Sequence, residues 1–339
     1  MYNNVAKDIK INLKSTHALI VDSNEFARGF TRGICQSLGF GDIFTAGDAA
    51  KALNILANNH IDVVICDWIL LPGGGEDFIR QVRTSAAVPD RTIPIIILTG
   101  VSNIGTIIAA RNVGINDFLV RPIKLHRLVA CLETALGNPK PFIHAGAYTG
   151  PDRRRKNPTD IYRGPERRAA LQTAAVPESR KASAEKMRDD KGMSVEEMIA
   201  AGERVIAEAH AGYAGVRLQD LNDLFSLIRV LKEPGSSPRE ILKKIYLKAN
   251  DIKSLGVTFG FPLLTTAGEL LCELLEDLPP DAVKTLFVLQ AIETHATVMK
   301  MVVDANVHDE TDEFATDLVD GLRALVAKAE EKKVSGAAF

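Results

Sequence analysis

Cysteine is scarce in this chain, with four residues in 339. Cys35, Cys66, Cys131 and Cys272 lie far apart inside apolar runs and show no metal-ligand spacing. Neither a disulfide framework nor a zinc site therefore organises the fold, and a reducing compartment is the natural setting. Long apolar runs are also missing: no stretch approaches about 20 consecutive apolar residues, and no apolar segment precedes a small-residue cleavage site near the start. The expectation is a cytoplasmic chain with no membrane span. Catalytic Ser-His-Asp and Cys-His patterns are absent as well. The histidines, His17, His60, His126, His144, His210, His295 and His308, show no ligand spacing and read as surface or structural residues.

What is present is the balance of a globular protein, 46% hydrophobic and 25% charged residues, in a chain too long for one ordinary core. The net charge of −2 hides an uneven distribution. Residues 1–136 carry 13 Lys and Arg against 12 Asp and Glu, residues 137–191 carry 13 against 7, and residues 192–339 carry 15 against 24. A neutral domain, a basic connector and an acidic domain stand in series. The boundaries this suggests are a polar arm over 1–16, an α/β domain over 17–137, a Pro-rich linker over 138–193, a helical domain over 194–332 and a tail over 333–339.

From His17 onward, strand-like apolar runs at 17–21, 42–46, 61–66, 93–98 and 116–120 alternate with helical patterns near 25–38, 48–58, 75–84, 103–113 and 124–136. Strict alternation implies an α/β fold, a doubly wound five-stranded parallel sheet with helices on both faces. Right-handed crossovers then bring all the strands' carboxyl ends to one rim. That rim collects Asp22 and Ser23, Asp67, Thr99 and Arg121, giving two carboxylates, a hydroxyl and a cation in one cleft. Such a set suits acyl-phosphate formation, in which a carboxylate attacks a phosphoryl group while a divalent ion, a hydroxyl and a cation stabilise its oxygens.

These residues resemble the receiver domain of bacterial two-component response regulators, a flavodoxin-like fold. The resemblance covers residues 16–137 and rests on Val21-Asp22, Asp67-Trp68 with Gly75 eight residues on, Thr99, and Arg121-Pro122 with Phe118 three residues earlier. It implies that Asp67 is the phosphoacceptor, that Asp22, Asp67 and the carbonyl of Ile69 hold Mg²⁺, that Thr99 is the switch hydroxyl and that Phe118 is the aromatic reporting the state. It also implies that Arg121 contacts the phosphoryl group in the place of the family's lysine. Three features depart from the pattern. Ser23 stands where a second acid is usual, which weakens a hard-ion site, and Glu25 is the nearest carboxylate that could compensate. Arg121 presents a planar fork instead of a compact ammonium. The proline after the phosphoacceptor falls one place late, at Pro72, ahead of the permissive run Gly73-Gly74-Gly75.

Six prolines punctuate the connector, and it carries a repeat, Tyr148-Thr-Gly-Pro-Asp-Arg153-Arg154-Arg155 and Tyr162-Arg-Gly-Pro-Glu-Arg167-Arg168. The segment reads as unpacked. Its Tyr and Arg residues suit two docking points for an anionic partner, the acidic helical domain being the nearest, and equally suit a solubilising linker. A nucleic-acid or cyclic-dinucleotide site is disfavoured, because no fold surrounds the repeat. From Ser194, capping-box patterns Ser194-Val-Glu-Glu197 and Ser237-Pro-Arg-Glu240 open a run of helices near 194–211, 217–232, 238–255, 262–277, 280–305 and 311–331, an all-α bundle. Within it, Asn250, Lys253, Ser254 and Gly260-Phe261-Pro262 resemble the core of a histidine-phosphotransfer domain, with Asn250 in the place of the phosphorylatable histidine. An amide has no basic nitrogen to attack a phosphoryl group, so that site reads as degenerate. Asn250 and Lys253 are expected on the helix's less apolar side.

The leading reading is a response regulator acting through protein association, with no enzymatic output beyond autophosphorylation and autodephosphorylation of Asp67. Its implied partners are a sensor histidine kinase or phosphotransfer protein, other signalling proteins, and a second copy of the chain through the helical domain. The alternative is a non-phosphorylated pseudo-receiver scaffold. A phosphatase of the haloacid-dehalogenase type is disfavoured, because Ile69 stands where its second Asp would be.

Overall fold

The structure, a computed structural model, describes residues 10–70, 73–100, 104–145, 148–152, 172–174, 176–188, 191–233, 235–276, 278, 285–305, 307 and 313–335. It divides into two compact units, residues 1–205 and 206–339. In the first, a short strand β1 (Lys10–Ile11) is followed by β2 (Ala18–Val21), α1 (Glu25–Ser37), β3 (Ile43–Ala46), α2 (Ala49–Asn58), β4 (Val63–Cys66), α3 (Gly75–Thr84), β5 (Ile95–Thr99), α4 (Ile104–Asn112), β6 (Asp117–Val120) and α5 (Leu125–Leu132). Strands β3-β2-β4-β5-β6 form one sheet, parallel at every pairing, as the alternation predicts. Every side chain of β2, β4 and β5 is buried, which is why these strands read as continuous apolar runs without alternation. The side chains of Asn24 and Asp48 accept the amides of Ala27 and Lys51, turning the chain into α1 and α2 directly beyond the sheet.

Register decides what meets at the rim. Val21 pairs with Cys66, so Asp22 and Asp67 leave neighbouring strands side by side. Thr99 pairs with Val120, one residue before Arg121.

The reading of 138–193 as an unpacked connector is corrected over its described stretches. Beyond a π-helical turn at Glu133–Gly137, β7 (Phe142–Ala145), β8 (Tyr148–Pro151) and β9 (Gln172–Ala174) make an antiparallel sheet in the order β8-β7-β9. Then α6 (Glu178–Met187) leads to β10 (Met193–Ser194), which pairs with β1. Residues 10–13 therefore belong to the folded unit and not to a polar arm; Ile11 and Leu13 are buried.

Buried guanidiniums provide the anchoring that sparse aliphatics do not. Arg83 of α3 donates to the carbonyls of Gly114, Arg91 and Ile93 at 2.8–3.1 Å and lies 5.0 Å from the Phe142 ring centroid. Burial lowers its pKa to about 9, against the pull of Asp90. Arg180 of α6 pairs with Asp90 and donates to the carbonyl of Asp62. All these acceptors precede strands, so the connector packs at the sheet's amino end, away from the rim. Gly114, at φ +97°, is needed there, since a Cβ would collide with the Thr149 carbonyl.

The remaining helices are α7 (Val195–Lys232), α8 (Pro238–Gly256), α9 (Pro262–Leu275), α10 (Leu286–Asp304) and α11 (Glu313–Ser335). The two helices expected over 194–232 are one. The unit boundary falls within α7 and not at 194, because Met198 and Ala201 are buried and Gly202 sits where a Cβ would meet Leu125 of α5. The Ser194 capping box forms in both directions, Ser194 N to Glu197 Oε2 at 2.8 Å and Glu197 N to Ser194 Oγ at 3.1 Å. At the second pattern Ser237 is the N-cap and Pro238 opens the helix, but no side-chain cap bond forms. In the second unit α8 and α9 join through a 3₁₀ turn ending at Gly260, φ +75°. By length and composition α10 could cross a membrane, yet half of it is buried, and its inward residues, among them Ile292, Ala296 and Met299, mark a core helix.

His295 of α10 is wholly buried; its Nδ1 lies 2.8 Å from the Ala291 carbonyl and Nε2 has no hydrogen-bond partner. Burial lowers its pKa from the ordinary 6.5. The unfolded chain thus takes up a proton that the folded chain refuses, and stability falls as pH drops below 6.5, with a limiting slope of about 1.4 kcal/mol per pH unit from this group. Denaturant unfolding at pH 7.5 and pH 5.5 should show that loss in the native chain and a smaller one in His295→Leu.

Candidate functional site

Asp67 follows the last residue of β4 and is 5% exposed. Its amide donates to the Val21 carbonyl at 2.8 Å, which ties it to the strand carrying Asp22. Behind it the chain turns sharply: Gly75 donates to the Trp68 carbonyl at 2.8 Å, and a Cβ there would fall 2.6 Å from that oxygen. Gly73 and Gly74 have φ of +97° and +92°. The glycine run is therefore required by conformation at two positions and by space at the third. Pro72 lies outside the described residues.

The structure brings Asp22, Asp67 and Arg121 together. Arg121 Nη2 lies 2.6 Å from Asp22 Oδ2 and Nη1 lies 2.9 Å from Asp67 Oδ2, so one guanidinium spans both carboxylates. The other two carboxylate oxygens are also engaged: Asp22 Oδ1 accepts Asn24 N at 2.8 Å, and Asp67 Oδ1 accepts Ile69 N at 3.1 Å. The three side chains are 3–6% exposed. Burial pushes the Asp22 carboxyl up to about 6, aided by the charge of Asp67 and opposed by Arg121. Burial disfavours the charge on Arg121, yet the two carboxylates hold its pKa above the ordinary arginine value. Burial, with Asp67 and Asp22 nearby, raises the neighbouring Cys66 thiol well above its usual range, so it stays protonated.

Thr99 is fully buried at the end of β5, and its carbonyl accepts Arg121 N at 2.9 Å. Phe118, on β6, is half-buried against the sheet core. The Ile69 carbonyl accepts a hydrogen bond from Ser23 Oγ at 3.3 Å. Glu25 is exposed in the first turn of α1. Among the described residues no group of three His, Cys, Asp or Glu side chains is placed to hold a metal. The residues expected to bind Mg²⁺ thus form a different arrangement: the two carboxylates close on Arg121, the carbonyl closes on Ser23, and as placed they do not fit the ion. Spacing located the three charges, but it could not show that one fork reaches both acids.

The placement expected of Asn250, on the less apolar side of its helix, is corrected. Asn250 lies in the core at 2% exposure, with Oδ1 unpartnered, while Lys253 is half-buried beside Gly268. Asn250 and Ile252 are both buried on α8, so the apolar stripe is wider than the isoleucine spacing suggested. Of the linker residues, Tyr148 stands in β8 and donates its hydroxyl to the Pro151 carbonyl at 2.8 Å. Arg153, Arg154, Tyr162, Arg167 and Arg168 lie outside the described residues.

The model of the response regulator receiver domain family matches residues 18–133. Chemotaxis protein CheY1 of Helicobacter pylori is 30% identical over 120 residues, which are 35% of this chain and 95% of that protein. Among solved structures, chemotaxis response regulator CheY4 of Vibrio cholerae is 26% identical with a TM-score of 0.33, covering 36% of this chain and 98% of that one. A receiver domain of a sensor histidine kinase from Pseudomonas aeruginosa, solved with magnesium coordinated in its active-site cleft, is 24% identical with a TM-score of 0.32, covering 35% and 94%.

The raised Asp22 pKa has a definite sign. The folded chain binds that proton more tightly than the unfolded chain, so between about 6 and 3.8 this group adds stability as pH falls and withdraws it as pH rises. In Asp22→Asn that contribution should vanish from the unfolding free energy measured across the window, and the Asp22 carboxyl carbon of the native chain should titrate near pH 6 by NMR.

Proposed function

Because the chain belongs to the response regulator receiver family through residues 18–133, we propose that it is a response regulator whose Asp67 accepts a phosphoryl group and whose output is protein association. The observation that carries this reading is the Asp67 carboxylate, at the end of the central strand β4, held 2.9 Å from the Arg121 guanidinium. An oxygen of Asp67 attacks the phosphorus of a phosphohistidine on a sensor kinase or phosphotransfer protein. The oxygen–phosphorus bond forms as the nitrogen–phosphorus bond of the donor breaks, and the imidazole leaves with its electron pair. Arg121 then passes from the carboxylate to the phosphoryl oxygens, a planar donor meeting a tetrahedral anion. Releasing Asp22 from its fork leaves a buried carboxylate seeking a new partner, and Thr99 and Phe118, on the strands next in register, respond to that change.

Receiver domains are signalling modules without enzymatic output of their own. In this reading the helical unit does not receive the phosphoryl group, since Asn250 is both an amide and buried. It serves as the surface for other signalling proteins or a second copy of the chain.

A second reading, a scaffold that is never phosphorylated, is favoured by one observation: each oxygen of Asp22 and Asp67 already accepts a hydrogen bond from within the chain. A small acyl-phosphate donor separates the two. Intact mass of the full chain should show one added phosphoryl group that hydroxylamine removes and that Asp67→Ala lacks. Equal incorporation in Asp67→Ala would sink the assignment, and no incorporation in the native chain establishes the scaffold.

A further inference from the structure

We propose that Arg121 is the resident cation of this rim, standing in for the divalent ion, so that Mg²⁺ gains the site only by displacing it. A hard divalent ion needs several oxygens with free lone pairs in near-octahedral array. Here Asp22 and Asp67 each accept a hydrogen bond at both oxygens, and the Ile69 carbonyl accepts one from Ser23, so an arriving ion would share every oxygen of the expected ligand set with a donor of the chain.

Charge points the same way. Two carboxylates and one guanidinium make a cluster of net charge −1, and Ser23 contributes no third acid. A divalent ion added beside Arg121 would turn it to +1, in a pocket whose side chains are 3–6% exposed and where charge is poorly solvated. Losing Arg121 from the carboxylates is the alternative, and it strands a buried cation.

A lysine would meet the two acids differently, through donors on a single nitrogen. One ammonium is a point charge, whereas the two terminal nitrogens of Arg121 reach two acids at 2.6 and 2.9 Å from one rigid plane. Ser23 and Arg121, separate oddities in the sequence, form one device: the acid that would strengthen metal binding is missing where a guanidinium spans the acids that remain. The inference holds whether or not Asp67 ever carries a phosphoryl group.

The single tryptophan, Trp68, adjoins Asp67 and packs half-buried on the sheet core, which makes its fluorescence a reporter. The full chain should be titrated at constant ionic strength with Mg²⁺ and with the quencher Mn²⁺. The native chain should give no saturable change at millimolar ion, while Arg121→Lys and Arg121→Gln should each gain a saturable response in that range. Melting supplies a second reading, in which Mg²⁺ raises the Tm of the variants and leaves the native Tm unchanged. Saturation of the native chain at the same concentrations as Arg121→Lys overturns the proposal, as does a folded Arg121→Lys with no response to either ion. Should Arg121→Gln fail to fold, the lysine variant decides alone.

Discussion

Two carboxylates buried side by side are the constraint around which the receiver unit is arranged. Register puts Asp22 and Asp67 on adjacent strand ends, and neither can stay ionised there without a cation in reach. Arg121 satisfies both from a third segment, the loop after β6, and so ties the carboxyl ends of β2, β4 and β6 into one cluster. Removing one member of such a buried set commonly costs about 3–5 kcal/mol, because the remaining charges are left unpaired. Chemistry and stability therefore share these residues. Any event that draws Arg121 away from the carboxylates must supply Asp22 with a proton or another donor, and that coupling is what gives a local change at Asp67 a route to the rest of the rim.

The same chemistry recurs at the opposite end of the sheet. Arg83 and Arg180 are buried against carbonyls that precede the strands, and through them the strands β7–β9 and helix α6 are held to the receiver core. A guanidinium can satisfy four or five acceptors in one plane while its stem packs as hydrocarbon, so a basic segment with few aliphatics can still be folded. Composition described this connector as unpacked because aliphatic content measures only one of the two ways a segment can be held.

The sheet was legible because its signal is local and repeated: continuous apolar runs at β2, β4 and β5, with cap residues Asn24 and Asp48 beyond β2 and β3. The identities of the rim residues were legible too, since each follows a strand. Partnership was not. That Arg121 reaches both acids and that Ser23 closes the Ile69 carbonyl depend on side-chain directions that no spacing encodes. Asn250 shows the same limit on a helix, where isoleucines at 241, 245 and 252 marked a stripe whose true width depended on the helices packed against it.

The helical unit then bears on how a signal could pass. A relay through this chain would need a second nucleophile exposed to the first, and α8 offers an amide sealed in the core. The buried groups of that unit do structural work: Tyr213 stacks on Phe259 with ring centroids 4.4 Å apart, and Arg217 pairs with Asp220 at 2.7 Å while donating to the Asp251 carbonyl. These contacts hold the unit's own helices together. Among the described residues, Asp67 stands where acid, cation and strand end combine, and under the proposed function the competition for Arg121 between Asp22, Asp67 and an arriving phosphoryl group would set how readily Asp67 is modified.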